Sequence, residues 1–282
     1  LPPHLRIASE GLVSTDGGLA AFLALDHDSP RWRLWLLRLA DLHVEEASSP
    51  RDFSRFHRVR WMPDGRLVLT ERAERLGQSP ARLAFWALGL GEKEPTRLYQ
   101  AAARDVWERC SPGGRYALVA CIRGRKLWDH FELVNLTSGE ARAVELPGNP
   151  SPHEFVWAPD EKALAYLCRQ ADGAAQIVLL DPATGALTCV PVHAPGAVTS
   201  LALSCGARFA ACSVRSDRCT RIHVLELGTG RALTLRRPLL FPAPIEPVWS
   251  PVGHELAVTA CEGPLPPASS ARIRLLDFSK GW

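Results

Sequence analysis

One phrase recurs six times along this chain, and no other feature restricts its fold as strongly. It reads VSTDGGLAAFLA from Val13, WMPDGRLVLT from Trp61, CSPGGRYALVA from Cys110, WAPDEKALAYL from Trp157, LSCGARFAACS from Leu203 and WSPVGHELAVTA from Trp249. The second residues of the copies, 14, 62, 111, 158, 204 and 250, are spaced by 48, 49, 47, 46 and 46 positions. A second phrase keeps step behind the first: FELVNLTSGE from Phe131, QIVLLDPATGA from Gln176, IHVLELGTGRA from Ile222 and IRLLDFSKG from Ile273. Two unrelated motifs holding one period mark a chain of stacked structural repeats.

The physical content of each repeat is readable. Trp61, Trp157 and Trp249 end a short strand, and a tetrad of the Pro-Asp-Gly type follows. Proline presets φ at the second turn position and glycine supplies φ > 0, so the chain reverses tightly. An apolar strand comes next, such as Arg66–Thr70 or Leu164–Cys168, then a variable loop and a strand rich in Val, Ile and Leu. A Thr-Gly or Ser-Gly turn leads to a fourth strand at Arg142–Glu145, Leu187–Val190 and Ala232–Leu235. Short strands with turn signals between them build an antiparallel sheet, and no segment has the sustained 3.6-residue period and caps of a helix. A lone four-stranded sheet cannot bury both faces, whereas six arranged radially leave only short, protected edges.

The expectation is therefore an all-β, single-domain, six-bladed β-propeller of four-stranded antiparallel blades spanning residues 1–282. The last repeat stops at Trp282 without a fourth strand. His4–Ala8 is expected to supply that outer strand, with Gly11–Val13 as the innermost strand of the first repeat. Residues 1–13 would then close the ring by pairing the N- and C-terminal strands, removing the last open edge.

These residues resemble the WD40-like or TolB-like β-propeller repeats of bacteria, in which W-S-P-D-G precedes a short apolar strand and D-x-x-T-G follows another. WMPDG at 61, SPGG at 111, WAPD at 157 and WSPVG at 249 match well, while STDGG at 14 and LSCGA at 203 are degenerate. The Trp-Asp strand endings of eukaryotic WD40 blades are missing, which favours the TolB-like branch. The resemblance covers essentially the whole chain. It implies a protein-binding propeller or an accessory domain of a peptidase or kinase, and it carries no catalytic residue, because fold does not transmit activity.

Composition narrows the rest. At 46% hydrophobic and 22% charged, the 282 residues suit a folded soluble chain rather than a disordered one. No apolar run approaches the ~20 residues of a membrane helix. The start has no signal-peptide pattern, which points to the cytoplasm. The sole Met is Met62, and the chain reads as a segment of a longer protein. Lys occurs only at 93, 126, 162 and 280, and Asn only at 135 and 149, which points to a thermophilic or GC-rich source. A net charge of +3 gives nucleic acid no particular support. Of the eight cysteines, Cys121, Cys168 and Cys212 lie in apolar runs and read as small, reduced hydrophobes.

Catalytic signatures are missing from the sequence: no Gly-x-Ser-x-Gly elbow, no Walker loop, no His-Glu-x-x-His. Cys205, Cys212 and Cys219 are seven apart, outside the Cys-x(2–4)-Cys spacing of structural zinc, so neither metal nor cofactor is expected. Asp41, Asp181 and Asp277 end strands beside turns, where carboxylates accept turn amides. Trp61, Trp157 and Trp249 read as core between blades.

Repeat geometry separates a face of short, uniform turns from one of long, irregular loops: Ser48–Phe56, Arg72–Ala81, Arg123–His130, Pro147–His153, Arg236–Pro244 and Glu262–Ser270. Variable loops on a rigid scaffold carry function. The candidate partner-binding residues on them are Phe53, Arg55, Phe56, Arg123, Arg125, Lys126, Trp128, Arg236, Arg237 and Phe241, since Arg and aromatics dominate interface hot spots. RGRKLWDH at Arg123–His130 is the foremost segment, suited to an acidic protein surface or a phosphate backbone. The expected function is a non-catalytic scaffold or binding module within a larger protein or complex. The alternative is a gating or ligand-binding propeller of an associated hydrolase or kinase, its channel lined by Arg58, Arg60, Arg104, Glu108, Glu154, Thr199 and Glu246.

Overall fold

In the computed structural model, the residues described are 5–7, 12–14, 16–26, 29–47, 53–74, 79–124, 128–148, 150–169, 174–194, 196–216, 220–235, 246–261 and 271–278. They form six antiparallel sheets, gathered into two compact units of three sheets each, Leu1–Glu145 and Leu146–Trp282.

In the first unit, the opening sheet contains β1 (Leu5–Ile7), β2 (Leu12–Val13), β3 (Leu19–Asp26), β4 (Ser29–Arg38) and β5 (Val44–Glu46). The second runs β6 (Phe56–Trp61), β7 (Leu67–Ala73), β8 (Ala81–Leu88), β9 (Thr96–Ala103), and the third β10 (Asp105–Cys110), β11 (Tyr116–Ile122), β12 (His130–Asn135), β13 (Ala141–Val144). The second unit holds β14 (Val156–Trp157), β15 (Leu164–Arg169), β16 (Ala175–Leu180) and β17 (Leu187–Val192). Next come β18 (Ala197–Leu203), β19 (Phe209–Arg215), β20 (Thr220–Glu226) and β21 (Ala232–Thr234), then β22 (Val248–Trp249), β23 (Glu255–Cys261) and β24 (Ala271–Asp277). Sheets two to five are plain four-stranded meanders in chain order, and the sixth has three strands among the described residues.

The recurrent phrase folds as one turn in every copy. The amide of its second residue bonds back across the turn: Ser14 to Leu19, Met62 to Arg66, Ser111 to Tyr116, Ala158 to Ala163, Ser204 to Phe209 and Ser250 to Glu255, all at 2.7–2.9 Å. Gly17, Gly65, Gly114 and Gly253 take positive φ at its tip. In the copies at Trp157 and Leu203, which lack glycine at this position, Glu161 (φ 62°) and Ala207 (φ 47°) are forced into the same left-handed region. Ser14, Ser111 and Ser204 add a hydroxyl acceptor for the amide five residues on. The second phrase closes likewise, with Gly139, Gly185 and Gly230 donating to the carbonyls of Asn135, Asp181 and Glu226 at 2.8 Å. Among the described residues, two short 3-10 turns, Pro152–Glu154 and Cys205–Ala207, are the helical pieces.

Strand periodicity then distributes the core. Side chains alternate across a strand, so Leu67 and Leu69 of β7 pack toward Leu23, Leu34 and Leu36 of the first sheet, while Val68 joins Val119 and Val134 of the third. The second unit repeats the division in β19. There Ala210 and Cys212 pack with Ala165 and Ile177, and Phe209 and Ala211 with Trp249 and Leu256. Each such Leu or Val buried contributes about 1.5–3 kcal/mol, so the sheets hold each other through both faces.

One expectation is corrected. The segment expected as outer strand of the last repeat lies instead in the first sheet, where Leu5–Ile7 pairs with Asp26, Leu25 and Ala24 of β3. β3 is eight residues long, and β2 covers only Ala20 and Ala21 on that edge. The uncovered half has open backbone groups, and a nearby segment satisfies them with far less loop-closure entropy than a pairing across the whole chain. Of the segment Gly11–Val13, the described residues Leu12–Val13 do provide the first strand of their own repeat, as β2.

Candidate functional site

The long loops following the second strand and preceding the first strand of each sheet lie at one end of that sheet. In the second and third sheets this end carries two charged constellations on well-described residues.

The first is built on β9 and β12. Glu132 interrupts the apolar run of β12, and its carboxylate receives the Tyr99 hydroxyl, the His130 Nε2 at 2.6 Å and the Arg123 Nη2 at 2.9 Å. Burial works against its ionised form, but the hydrogen bonds from Tyr99 and His130 and the charge of Arg123 outweigh it and hold the carboxyl pKa below the ordinary Glu value. Burial and the Glu132 carboxylate push the Tyr99 phenol upward, so it stays a donor. Above this knot Asp129 accepts the amides of Arg123 and Gly124, both at 2.7 Å. The loop Arg123–His130 is thus fastened at its base, with Trp128 half-buried at φ 48°.

The second lies where the chain enters β6. Arg55 is exposed, its guanidinium 4.7 Å from the centre of the Phe56 ring and 4.6 Å from that of Trp86. Arg97 sits 5.8 Å over the same indole, and the Trp86 Nε1 donates to Glu71 at 2.7 Å. A guanidinium laid on aromatic faces loses freedom yet keeps its edge donors for another group.

Phe53 and Phe56 are 3% and 6% exposed and pack with Val59 and Leu69, so they support the loop from beneath instead of presenting a contact surface. Their amides are already used, Phe53 toward Trp32 and Phe56 toward Phe53. The structure thus gives Arg55 an outward position and makes Phe56 and Trp86 its platform, with Phe53 packed against Phe56. Arg123 and Trp128 belong to the fastened loop. Arg125, Lys126, Arg236, Arg237 and Phe241 lie outside the described residues.

Other readings resolve simply. Asp41 and Asp181 accept turn amides, from His43 at 3.1 Å and from Ala183 at 2.8 Å. Trp61, Trp157 and Trp249 are buried. Cys121, Cys168 and Cys212 are free and buried, and among the described residues no group of His, Cys, Asp and Glu is arranged to hold a metal. No helix among the described residues is long and apolar enough to cross a membrane.

Sequence reasoning missed Tyr99 and Glu132, and took His130 only as the end of the loop segment. The available signal was a lone carboxylate inside the apolar strand HFELVN, because a charge there needs partners on the neighbouring strand. Glu108 in DVWERC carries the same signal, and it is paired with Arg58 at 2.8 Å.

No family model matches the sequence, and no curated protein does. Solved structures do match in shape. An oligogalacturonate lyase from Vibrio parahaemolyticus superposes with a TM-score of 0.62 at 16% identity, covering 89% of this chain and 73% of that one. A prolyl endopeptidase gives 0.64 at 13% identity, covering 99% of this chain and 41% of its own. TolB from Acinetobacter baumannii gives 0.45 at 15% identity over 83% and 54%. At these identities the likeness to the lyase and the endopeptidase concerns the fold alone: six antiparallel sheets of the β-propeller type, as the repeat phrases imply.

Proposed function

We propose that this chain is a non-catalytic binding module that recognises an acidic protein surface through the loop end of its second and third blades. The fastening of Arg123–His130 carries this reading. The stem of a cation-rich segment, Arg123 and Gly124 held by Asp129 and Glu132, is pre-organised, which lowers the entropy lost on binding. Arg55 on its aromatic platform adds a second restrained cation at the same end. Restrained Arg and Trp side chains are the types that dominate interface energetics.

The test is a pull-down from lysate of the source with the wild-type chain and with Arg125→Ala/Trp128→Ala. A partner recovered by the first and lost by the second, and released by added salt, supports the reading. Equal recovery by both removes this face from the account. The alternative is a propeller serving an attached hydrolase or kinase. It draws on the prolyl endopeptidase, of which the chain covers 41%, and a hydrolase or kinase domain in the parent open reading frame would favour it.

A further inference from the structure

The first strands of the second and third blades hold charges that the loop face does not use. β6 places Arg58 and Arg60 two residues apart, hence on one side of the strand and roughly 7 Å from each other along it. On β10, Glu108 is 3% exposed, and its Oε1 accepts from the Arg58 Nη1 at 2.8 Å with the His57 Nε2 3.6 Å away. The Arg60 guanidinium lies beside the Cys110 thiol, and its Nε is buried without a hydrogen-bond partner. Further along, the Arg72 Nη2 is 3.8 Å from the Asp105 Oδ1.

Three features of this group point outward. Three guanidinia face two carboxylates, which leaves a positive surplus. The Arg58 side chain is 52% exposed although its carboxylate partner is buried. One acceptor on Nη1 leaves most of a five-donor fork for something else. A buried carboxylate that grips one corner of a half-exposed guanidinium fixes its direction in advance. Arg60, next on the same side, has a donor that no protein group satisfies, and buried unsatisfied donors invite an acceptor. Two guanidinium forks at this spacing can each take one carboxylate of a small dicarboxylate, or converge on the oxygens of one phosphate, through paired N–H···O bonds.

We propose that Arg58 and Arg60 form a clamp for a small dianion carrying its charge on oxygen, a dicarboxylate or a phosphate, with Glu108 as the positioning residue. This site is independent of the loop-face reading, because Arg125→Ala/Trp128→Ala leaves both strands untouched.

The probes are succinate, inorganic phosphate and acetate, titrated calorimetrically into the purified 282-residue chain at constant ionic strength. At least one dianion is expected to bind about tenfold or more tightly than acetate, and the tighter of the two names the ligand class. Arg60→Gln is expected to weaken it about tenfold and Glu108→Gln several-fold. Arg82→Gln, which deletes an equal charge from an exposed site on β8, is expected to leave it within about twofold. Circular dichroism verifies folding of each variant. Where Glu108→Gln does not fold, Arg60→Lys replaces it: the charge stays, the fork goes, and only part of the affinity should return. Absence of any dianion preference over acetate overturns the clamp, as does an equal loss in Arg60→Gln and Arg82→Gln.

Discussion

The Trp61 indole donates a 2.9 Å hydrogen bond to the carbonyl of Leu12, and Trp249 donates in the same way to Ala202 at 3.2 Å. Each acceptor belongs to the first strand of the preceding sheet, β2 or β18. The repeat tryptophan therefore does two things. Its ring fills the core shared with the sheet before it, and its N–H fastens that sheet's backbone. A buried indole needs such a partner.

Trp61→Phe keeps an aromatic ring but removes the donor, leaving the Leu12 carbonyl short of a partner. We expect a loss of about 1–2 kcal/mol, against about 3–5 kcal/mol for Trp61→Ala, which also opens a cavity. Urea unfolding followed by circular dichroism measures both. Equal losses for the two substitutions would show that the hydrogen bond, not the ring, dominates.

The contrast between local and distant contacts explains what the sequence makes legible. The turns are written in neighbouring residues, since Pro presets one φ and Gly permits another, so all six could be placed from the phrase alone. Even Glu161 and Ala207 adopt the turn against their own preference, because the flanking strands impose it. The partner of Glu108 stands 50 positions away at Arg58, and that of Glu132 stands 33 away at Tyr99. Strand alternation tells which side of its sheet a carboxylate takes, but not which residue waits there. Phe53 and Phe56 were legible as loop-end aromatics, while their inward direction depended on the first sheet they pack against. The placement of β1 was decided by the unequal lengths of β2 and β3, a matter of pairing that no phrase encodes.

Two turn glycines separate conformational from steric demand. Gly65 and Gly114 both have positive φ, but an added Cβ meets nothing within 4 Å at Gly65 and the Trp61 carbonyl at Gly114. Gly65→Ala should cost about 1–2 kcal/mol, the penalty of left-handed backbone. Gly114→Ala must also displace the second blade's backbone and should cost about 3 kcal/mol or more. Conversely, Glu161→Gly relieves a strained copy and should gain a few tenths to about 1 kcal/mol. Thermal melts of the three variants should order them Gly114→Ala, Gly65→Ala, wild type, Glu161→Gly from lowest midpoint to highest.

Thiol chemistry should follow burial. Burial pushes the Cys121 thiol up to about 11 and the Cys212 thiol up to about 12, whereas Cys189 is exposed on β17. The thiolate is the reacting species. Iodoacetamide at about pH 8 should label Cys189 in the native protein and reach Cys121 and Cys212 only in denaturant. Peptide mapping by mass spectrometry reads this directly. Cys189→Ser should delete that native label without exposing the other two.

Acidification should weaken the first unit through Glu108. Burial alone would raise this carboxyl, but His57 and the charges of Arg58 and Arg72 outweigh burial and hold it below its ordinary 4.5. A carboxylate depressed in the folded state binds its proton more readily when unfolded. The stability it contributes is therefore complete above the unfolded value and is lost as pH falls through the folded one. Glu108→Gln cannot titrate and leaves Arg58 without its counter-charge, so at neutral pH it should be less stable by about 1–3 kcal/mol. Urea midpoints for both proteins from about pH 7 to about pH 3 should converge toward the acid end, because protonation makes the wild-type carboxyl resemble the amide. A gap that stays constant over that range would mean that Glu108 acts by shape and packing, with its charge contributing nothing to the fold.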